Sequence, residues 1–118
     1  MVNSELSQEK ELVIQGIVTG DPFFGTYASD SAIPYHQIIF PIELSTKISA
    51  TFKKSDPLTL NIGTSIIVYC SSACYIRKGD KIELIGRIAK VKLERRNETL
   101  VIHARYIYNE TLQFSTDY

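Results

Sequence analysis

The sequence has no tryptophan, only two cysteines, and no excess of charge of either sign. Its 13 Lys and Arg residues balance 13 Asp and Glu residues, so the chain has no global basic field to attract nucleic acid. Cys70 and Cys74 cannot build a disulfide framework, and they fall short of a zinc-ligand set. We interpret them as buried thiols of a protein in a reducing cytoplasm.

Segments that would carry the chain into a membrane are also missing. No apolar run approaches the ~20 residues of a membrane span. Residues 1–11 are polar and mixed in charge, unlike a signal peptide. The length of 118 residues predicts one domain, and the 44% hydrophobic content is enough for a core and excludes a disordered chain. We therefore expect a cytoplasmic domain without a membrane partner.

Catalytic and metal-binding motifs are missing as well. The sequence contains no glycine-rich phosphate loop, no HExxH and no CxxC, and its serines lack a nucleophile motif. His36 and His103 have no carboxylate or cysteine at ligand spacing, so we interpret them as packed or surface side chains. We expect neither an enzyme nor a site for a metal or cofactor.

What the sequence does contain is β-structure. Apolar and polar residues alternate from Lys81 onward, which is typical of a half-buried strand, and Gly86 within that run indicates a bulge or sharp bend. Pro41 cannot donate to a ladder, so its strand should be an edge or bulged there. The predicted strands are 12–19, 35–44, 65–70, 81–89 and 99–108.

Five strands with mid-strand glycines and no long helix predict an all-β protein. The five-stranded barrel called the oligonucleotide/oligosaccharide-binding (OB) fold fits best, and a five-stranded open sandwich is the alternative. We interpret 35–70 as one extended hairpin of the second and third strands, whereas a competing interpretation makes 45–54 a short helix. The other predicted segments are a flexible lead-in at 1–10, a long loop at 20–34, a domain spanning 11–109 and a tail at 110–118.

Several segments resemble the bacterial single-stranded-DNA-binding protein family and its relative, the primosomal replication protein N family. The similar segments are Ile76–Ile88, Leu100–Ala104, Ala32–Gln37 and Leu12–Val18. The resemblance implies an OB-fold that binds single-stranded DNA in replication, recombination or repair, as an oligomer of two or four subunits with replication proteins as partners. The connector before Gly79 is too short for the families' usual helix, and Ser115–Tyr118 lacks their acidic tail ending in Pro-Phe. These departures favour a primosomal-type, plasmid or phage relative.

Candidate binding residues combine cations for phosphates with flat rings for bases. A basic loop, Lys90–Glu98, joins the fourth and fifth strands, and the hairpin tip carries an aromatic residue beside two lysines. Of the strand aromatics, we expect two to face a groove. The candidates for binding single-stranded DNA, with RNA as an open alternative, are Lys90, Lys92, Arg95, Arg96, Arg87, Phe52, Lys53, Lys54, Tyr35 and Tyr69.

Two further expectations remain open on sequence grounds. The second strand has more apolar residues than one barrel face can bury, which predicts a homo-oligomer, most simply a dimer. Zero net charge suits an alternative function, in which the domain is an OB-like protein-interaction or structural subunit of a larger complex without nucleic-acid binding of its own.

Overall fold

The structure is a computed structural model that describes residues 4–7, 10–27, 35–52, 57–70, 75–92 and 98–117. These residues form strands and turns and contain no helix. The strands are β1 (Ser4–Ser7), β2 (Leu12–Val18), β3 (Phe23–Tyr27), β4 (Tyr35–Leu44), β5 (Ile48–Ala50), β6 (Leu58–Leu60), β7 (Ser65–Cys70), β8 (Lys81–Lys92), β9 (Glu98–Asn109) and β10 (Phe114–Asp117).

Five of these strands close a barrel of the OB type. Strand β2 pairs with both β4 and β8, and β4 also pairs with β7. Strand β9 pairs with β7 and with β8, which closes the barrel. All of these pairings are antiparallel except that of β7 with β9, which is parallel. The predicted five-stranded barrel is confirmed, and closure rules out the open sandwich.

Gly86 marks the bend that the sequence predicts. The β8–β9 register shifts between Ile85 and Gly86, which is a β-bulge. A Cβ atom at Gly86 would lie 2.5 Å from the carbonyl oxygen of His103, so only glycine lets β9 approach this closely. The bulge lets β8, a strand of 12 residues, curve around the barrel.

Pro41 lies in a strand that has neighbours on both sides, but at Pro41 itself only β7 is paired, so the strand is an edge at this residue, one of the two predicted alternatives. On one side β3 pairs up to Ile39 and β2 begins at Ile42, which leaves Pro41 at the junction between them. The Pro41 carbonyl accepts a hydrogen bond from the Thr19 amide at 3.0 Å. Because N and O of a strand residue face the same side, the nitrogen without a hydrogen faces this junction. The reciprocal bond to the Thr19 carbonyl cannot form, which agrees with the β2–β4 ladder ending at Val18 and Ile42.

The isoleucine, leucine and phenylalanine side chains of β4 are all buried within the single chain. Ile38 and Ile39 are 7% and 8% exposed, and the buried set also includes Phe40, Ile42 and Leu44. The argument that this strand has a surplus apolar face for a partner subunit is therefore wrong. The expectation of a homo-oligomer now depends on the family resemblance alone.

A short hairpin covers part of the core between β4 and β7. Strands β5 and β6 form their own two-stranded sheet, so the predicted long hairpin over 35–70 is interrupted, although β4 and β7 do pair. Residues 48–50 form a strand, so the helix proposed as an alternative for 45–54 is absent from its described part. The hairpin contributes Ile48, Ala50, Phe52 and Leu60 to the main core cluster.

Three short strands lie in segments for which the sequence predicts no regular secondary structure. β1, in the predicted lead-in, pairs with β8; β3, in the predicted loop, pairs with β4; β10, in the predicted tail, pairs with β9. Each has five or fewer residues, and each is held by ladder bonds to a longer strand. Because pairing with a longer strand stabilises these short strands, they cannot be predicted from their own residues alone.

A buried polar network closes the connection between β7 and β8. Asp80 and Asn109 are 3% and 1% exposed, and the Asn109 side-chain amide donates to the Asp80 carboxylate at 2.7 Å. The Arg77 amide donates to the same carboxylate oxygen at 2.9 Å, and Gly79 adopts a φ of 94°. Gly79 and Asp80 form a residue pair that is typical of turns, and Asp80 ties this turn to the end of β9.

Candidate nucleic-acid interface

Three side chains form a row across the outer surface of the barrel. His103 on β9 is in register with Tyr69 of β7 on one side and with Arg87 of β8 on the other. Residues directly opposite in a ladder point to the same face. Ile88, the neighbour of Arg87, is fully buried in the core, so the row faces outward. We call Tyr69, His103 and Arg87 the outer row.

The rings of the outer row are stacked on one another. The ring centroids of Tyr69 and His103 lie 5.7 Å apart, with an angle of 25° between the ring planes. Both side chains are half-buried, whereas Arg87 is exposed. An aromatic pair that ends in a guanidinium is an arrangement on which a base can stack while its phosphate meets a cation.

A small apolar cluster beneath the outer row fixes the position of Tyr69. Ala89 and Val101 are buried outside the main core, and Ile67 and Tyr69 pack against them. Burial raises the pKa of the Tyr69 hydroxyl above its ordinary value. The phenol therefore stays uncharged at neutral pH and does not repel a phosphate.

Lys90 and Phe52, two predicted binding residues, meet at a different place. Lys90 belongs to β8 rather than to a loop, and its Nζ lies 4.5 Å from the centroid of the Phe52 ring. Phe52 is 1% exposed and belongs to the main core, so it is not the exposed stacking residue of a hairpin tip that the sequence predicts. We call Lys90 and Phe52 the inner pair.

The remaining predicted residues are only partly covered by the structure. Lys92 is the last residue of β8 and Tyr35 the first of β4, so neither lies in a loop, and their side chains are not described. The predicted basic loop, Lys90–Glu98, therefore overlaps the described strands at both of its ends. Lys53, Lys54, Arg95 and Arg96 lie outside the described residues.

His103 is the residue that sequence reasoning missed. The sequence shows it as an isolated histidine, and it becomes part of a surface only because β7 and β9 run parallel with Tyr69 opposite it. Register between strands that are 30 residues apart is not visible in a local pattern. The OB topology, taken together with the strand boundaries, is the signal that could have found it.

Other kinds of site have no counterpart in the part of the chain that is described. Within these residues, no three or more His, Cys, Asp or Glu side chains are grouped so that they could hold a metal ion. The same residues include no helix of the length and apolarity that crossing a membrane requires. Cys70 is buried, as expected, and Cys74 lies outside the described residues.

No family model matches the chain, and comparisons with curated proteins and with solved structures likewise found no match. The resemblance to single-stranded-DNA-binding proteins therefore stays a prediction from the residues that carry it.

Proposed function

We propose that this protein binds single-stranded nucleic acid, with DNA as the first candidate, on the outer surface of its barrel. The outer row is the observation that carries the proposal. Tyr69 and His103 supply stacked rings, and Arg87 supplies an exposed cation in register with them. Stacking on such rings contributes roughly 1–3 kcal/mol per base and tolerates any sequence.

The position of the outer row within the barrel supports this proposal. OB-folds bind oligonucleotides on the face of their second and third strands and on the loop between the fourth and fifth. Tyr69 belongs to β7, the third strand of this barrel. The residues between β8 and β9 include Arg95 and Arg96, which stand three and four positions after Lys92 in the sequence. A strand running from the outer row toward that loop would meet further cations.

Each group of the outer row has a distinct part in this binding. The neutral ring of Tyr69 accepts a base on its exposed face, while the apolar cluster beneath it prevents the ring from rotating away. His103 backs that ring, and Arg87 offers several N–H donors to a phosphate oxygen. A role in replication, recombination or repair, and assembly into a homo-oligomer, follow only from the family resemblance and are part of this proposal.

A different surface favours a second candidate function, in which the domain binds another protein. On the outer face of β2, Val13 is 59% exposed and Ile17 is 43% exposed. Ile85 is in register with both Val13 and Tyr106, and both of these partners share its face. An apolar sheet face of this kind suits a protein partner better than a phosphate backbone.

Titration with oligo-dT at low salt tests the proposal directly. Tyrosine fluorescence should be quenched as bases stack, and the sequence has no tryptophan to mask that signal. If four to six phosphates are neutralised, log K against log[salt] should slope by roughly −3 to −4, at about −0.7 per contact. The absence of binding to both oligo-dT and oligo-U at low salt would instead support the protein-interaction function.

A further inference from the structure

The turn that leads into β8 presents a second set of exposed aromatic and basic side chains. Tyr75 is 68% exposed, and the Arg77 side chain is 64% exposed. Lys78 and Lys81 are exposed as well. The outer row does not include any of these four residues.

Hydrogen bonds to two barrel strands hold the backbone of this turn. The Tyr75 carbonyl accepts from the Asn109 side-chain amide at 2.9 Å. The Gly79 amide donates to the Val18 carbonyl at 2.7 Å, and the Val18 amide donates to the Asp80 carbonyl at 2.8 Å. These bonds fix the turn to β2 and β9, so a ligand that binds it need not first order a mobile loop.

The carboxylates near the turn do not cover the side chains of Arg77 and Lys78, which remain exposed to a ligand. Asp80 lies 3.6 Å from the Arg77 guanidinium, but its side chain is 4% exposed and points to the buried network. Glu83 accepts from the Gln15 side-chain amide, and Glu110 lies next to Lys81 through a backbone hydrogen bond. Lys78, the next residue in the turn, is exposed as Arg77 is.

We propose that the Tyr75–Lys81 turn is a second contact for single-stranded nucleic acid, which lengthens the path that begins at the outer row. The inference depends on the proposed function. Tyr75 supplies a ring for one base, while Arg77 and Lys78 supply cations for the adjoining phosphates, the same two ingredients as in the outer row. Tyr69 lies near the end of β7 and Tyr75 near the start of β8, so the two rings flank one connection of the chain.

Oligonucleotide length separates this second contact from the first. Binding should be measured by fluorescence anisotropy with labelled oligo-dT of about 5 and about 15 nucleotides, which span the site sizes of single OB-folds. The variants are Tyr75→Leu with Lys78→Ala, Tyr75→Phe, which keeps the ring, and Lys47→Ala, which removes an exposed lysine of the β4–β5 connection.

The double variant should lose about fivefold or more in affinity for the longer oligonucleotide and less than about twofold for the shorter one. Its salt slope on the longer oligonucleotide should flatten by about 0.7. Tyr75→Phe and Lys47→Ala should bind as the wild type does. Wild-type affinity of the double variant for both lengths, or an equal loss for both, would overturn the second contact while leaving the proposed function intact. If the wild type binds neither length, the proposed function itself fails and this inference fails with it.

Discussion

The outer row and the inner pair contain the same chemical ingredients in opposite settings. In the outer row, rings of two strands stack on the barrel surface beside an exposed arginine. In the inner pair, the ammonium of Lys90 lies over a ring that is 1% exposed and belongs to the core. An aromatic residue near a cation is therefore a binding element or a packing element according to the face on which strand register places it.

The largest expected effect is on stability, at the inner pair. Replacing Phe52 by Ala should lower the free energy of unfolding by about 3–5 kcal/mol, because it leaves a cavity in the core. Urea denaturation measures this loss. Phe52→Leu, which keeps much of the volume, should retain both the fold and the affinity for oligo-dT. A loss of unfolding free energy below about 1 kcal/mol for Phe52→Ala would contradict the burial of this ring and favour the exposed hairpin tip that the sequence predicts.

The second-largest expected effect is on binding, at the end of β8 and in the residues that follow it. Combining Lys92→Ala, Arg95→Ala and Arg96→Ala should weaken oligo-dT binding by about tenfold or more and flatten the salt slope by about two. The melting temperature should barely move, because removing an exposed cation changes stability by about ±0.5 kcal/mol. Unchanged binding would confine the nucleic-acid path to the outer row and the turn at 75–81. Unchanged binding with loss of oligomerisation would make these residues a subunit contact.

A smaller effect is expected from the other half of the inner pair. Lys90→Met keeps the length of the side chain but removes the charge over Phe52, which should cost about 1 kcal/mol of unfolding free energy. Lys47→Met is the matched control and should cost less than about 0.5 kcal/mol. If Lys90→Met instead leaves stability unchanged and flattens the salt slope, then Lys90 binds phosphate rather than the ring.

The smallest effect concerns the pH dependence of the outer row. Burial raises the pKa of Tyr69 in the folded state, so the tyrosinate forms less readily there than in the unfolded chain. The stability that depends on neutral Tyr69 is fully present below about pH 10 and falls as pH rises beyond that value. Urea midpoints at about pH 9 and pH 11 should drop further for the wild type than for Tyr69→Phe. An equal drop would mean that Tyr69 titrates as an exposed tyrosine does.

Strand periodicity predicts the barrel well, because each barrel strand buries one face. Ile82 and Leu84 are buried and alternate with less buried neighbours along β8, and the register shift lies at Gly86. The short strands β1, β3 and β10 were not predicted, because their order depends on a partner strand rather than on their own residues. Local patterns also gave the wrong environment for Phe52, since nothing near it in the sequence shows that the β5–β6 hairpin folds onto the core.

The sequence predicted two of the residues of the outer row but not how they are arranged on the barrel surface. Strand alternation places Arg87 on the polar face of its strand, and Tyr69 is one of the two strand aromatics expected to face a groove. Their common neighbour, His103, depends on the parallel pairing of β7 with β9, a contact between distant parts of the chain. The sequence predicted only a short connector before Gly79, and the hydrogen bonds that fix the exposed Tyr75 in place depend on β2 and β9, which are distant in the sequence.

The affinity of a Tyr69→Leu, Arg87→Ala variant for labelled oligo-dT tests the central claim most directly. Tyr108→Leu is the matched control, since Tyr108 is another half-buried tyrosine on the outer face of β9, about 16 Å from His103 along the strand. We expect the double variant to remain folded and to lose about tenfold or more in affinity, while the control binds as the wild type does. A folded double variant that binds within about twofold of the wild type would contradict the assignment of the outer row as the nucleic-acid interface.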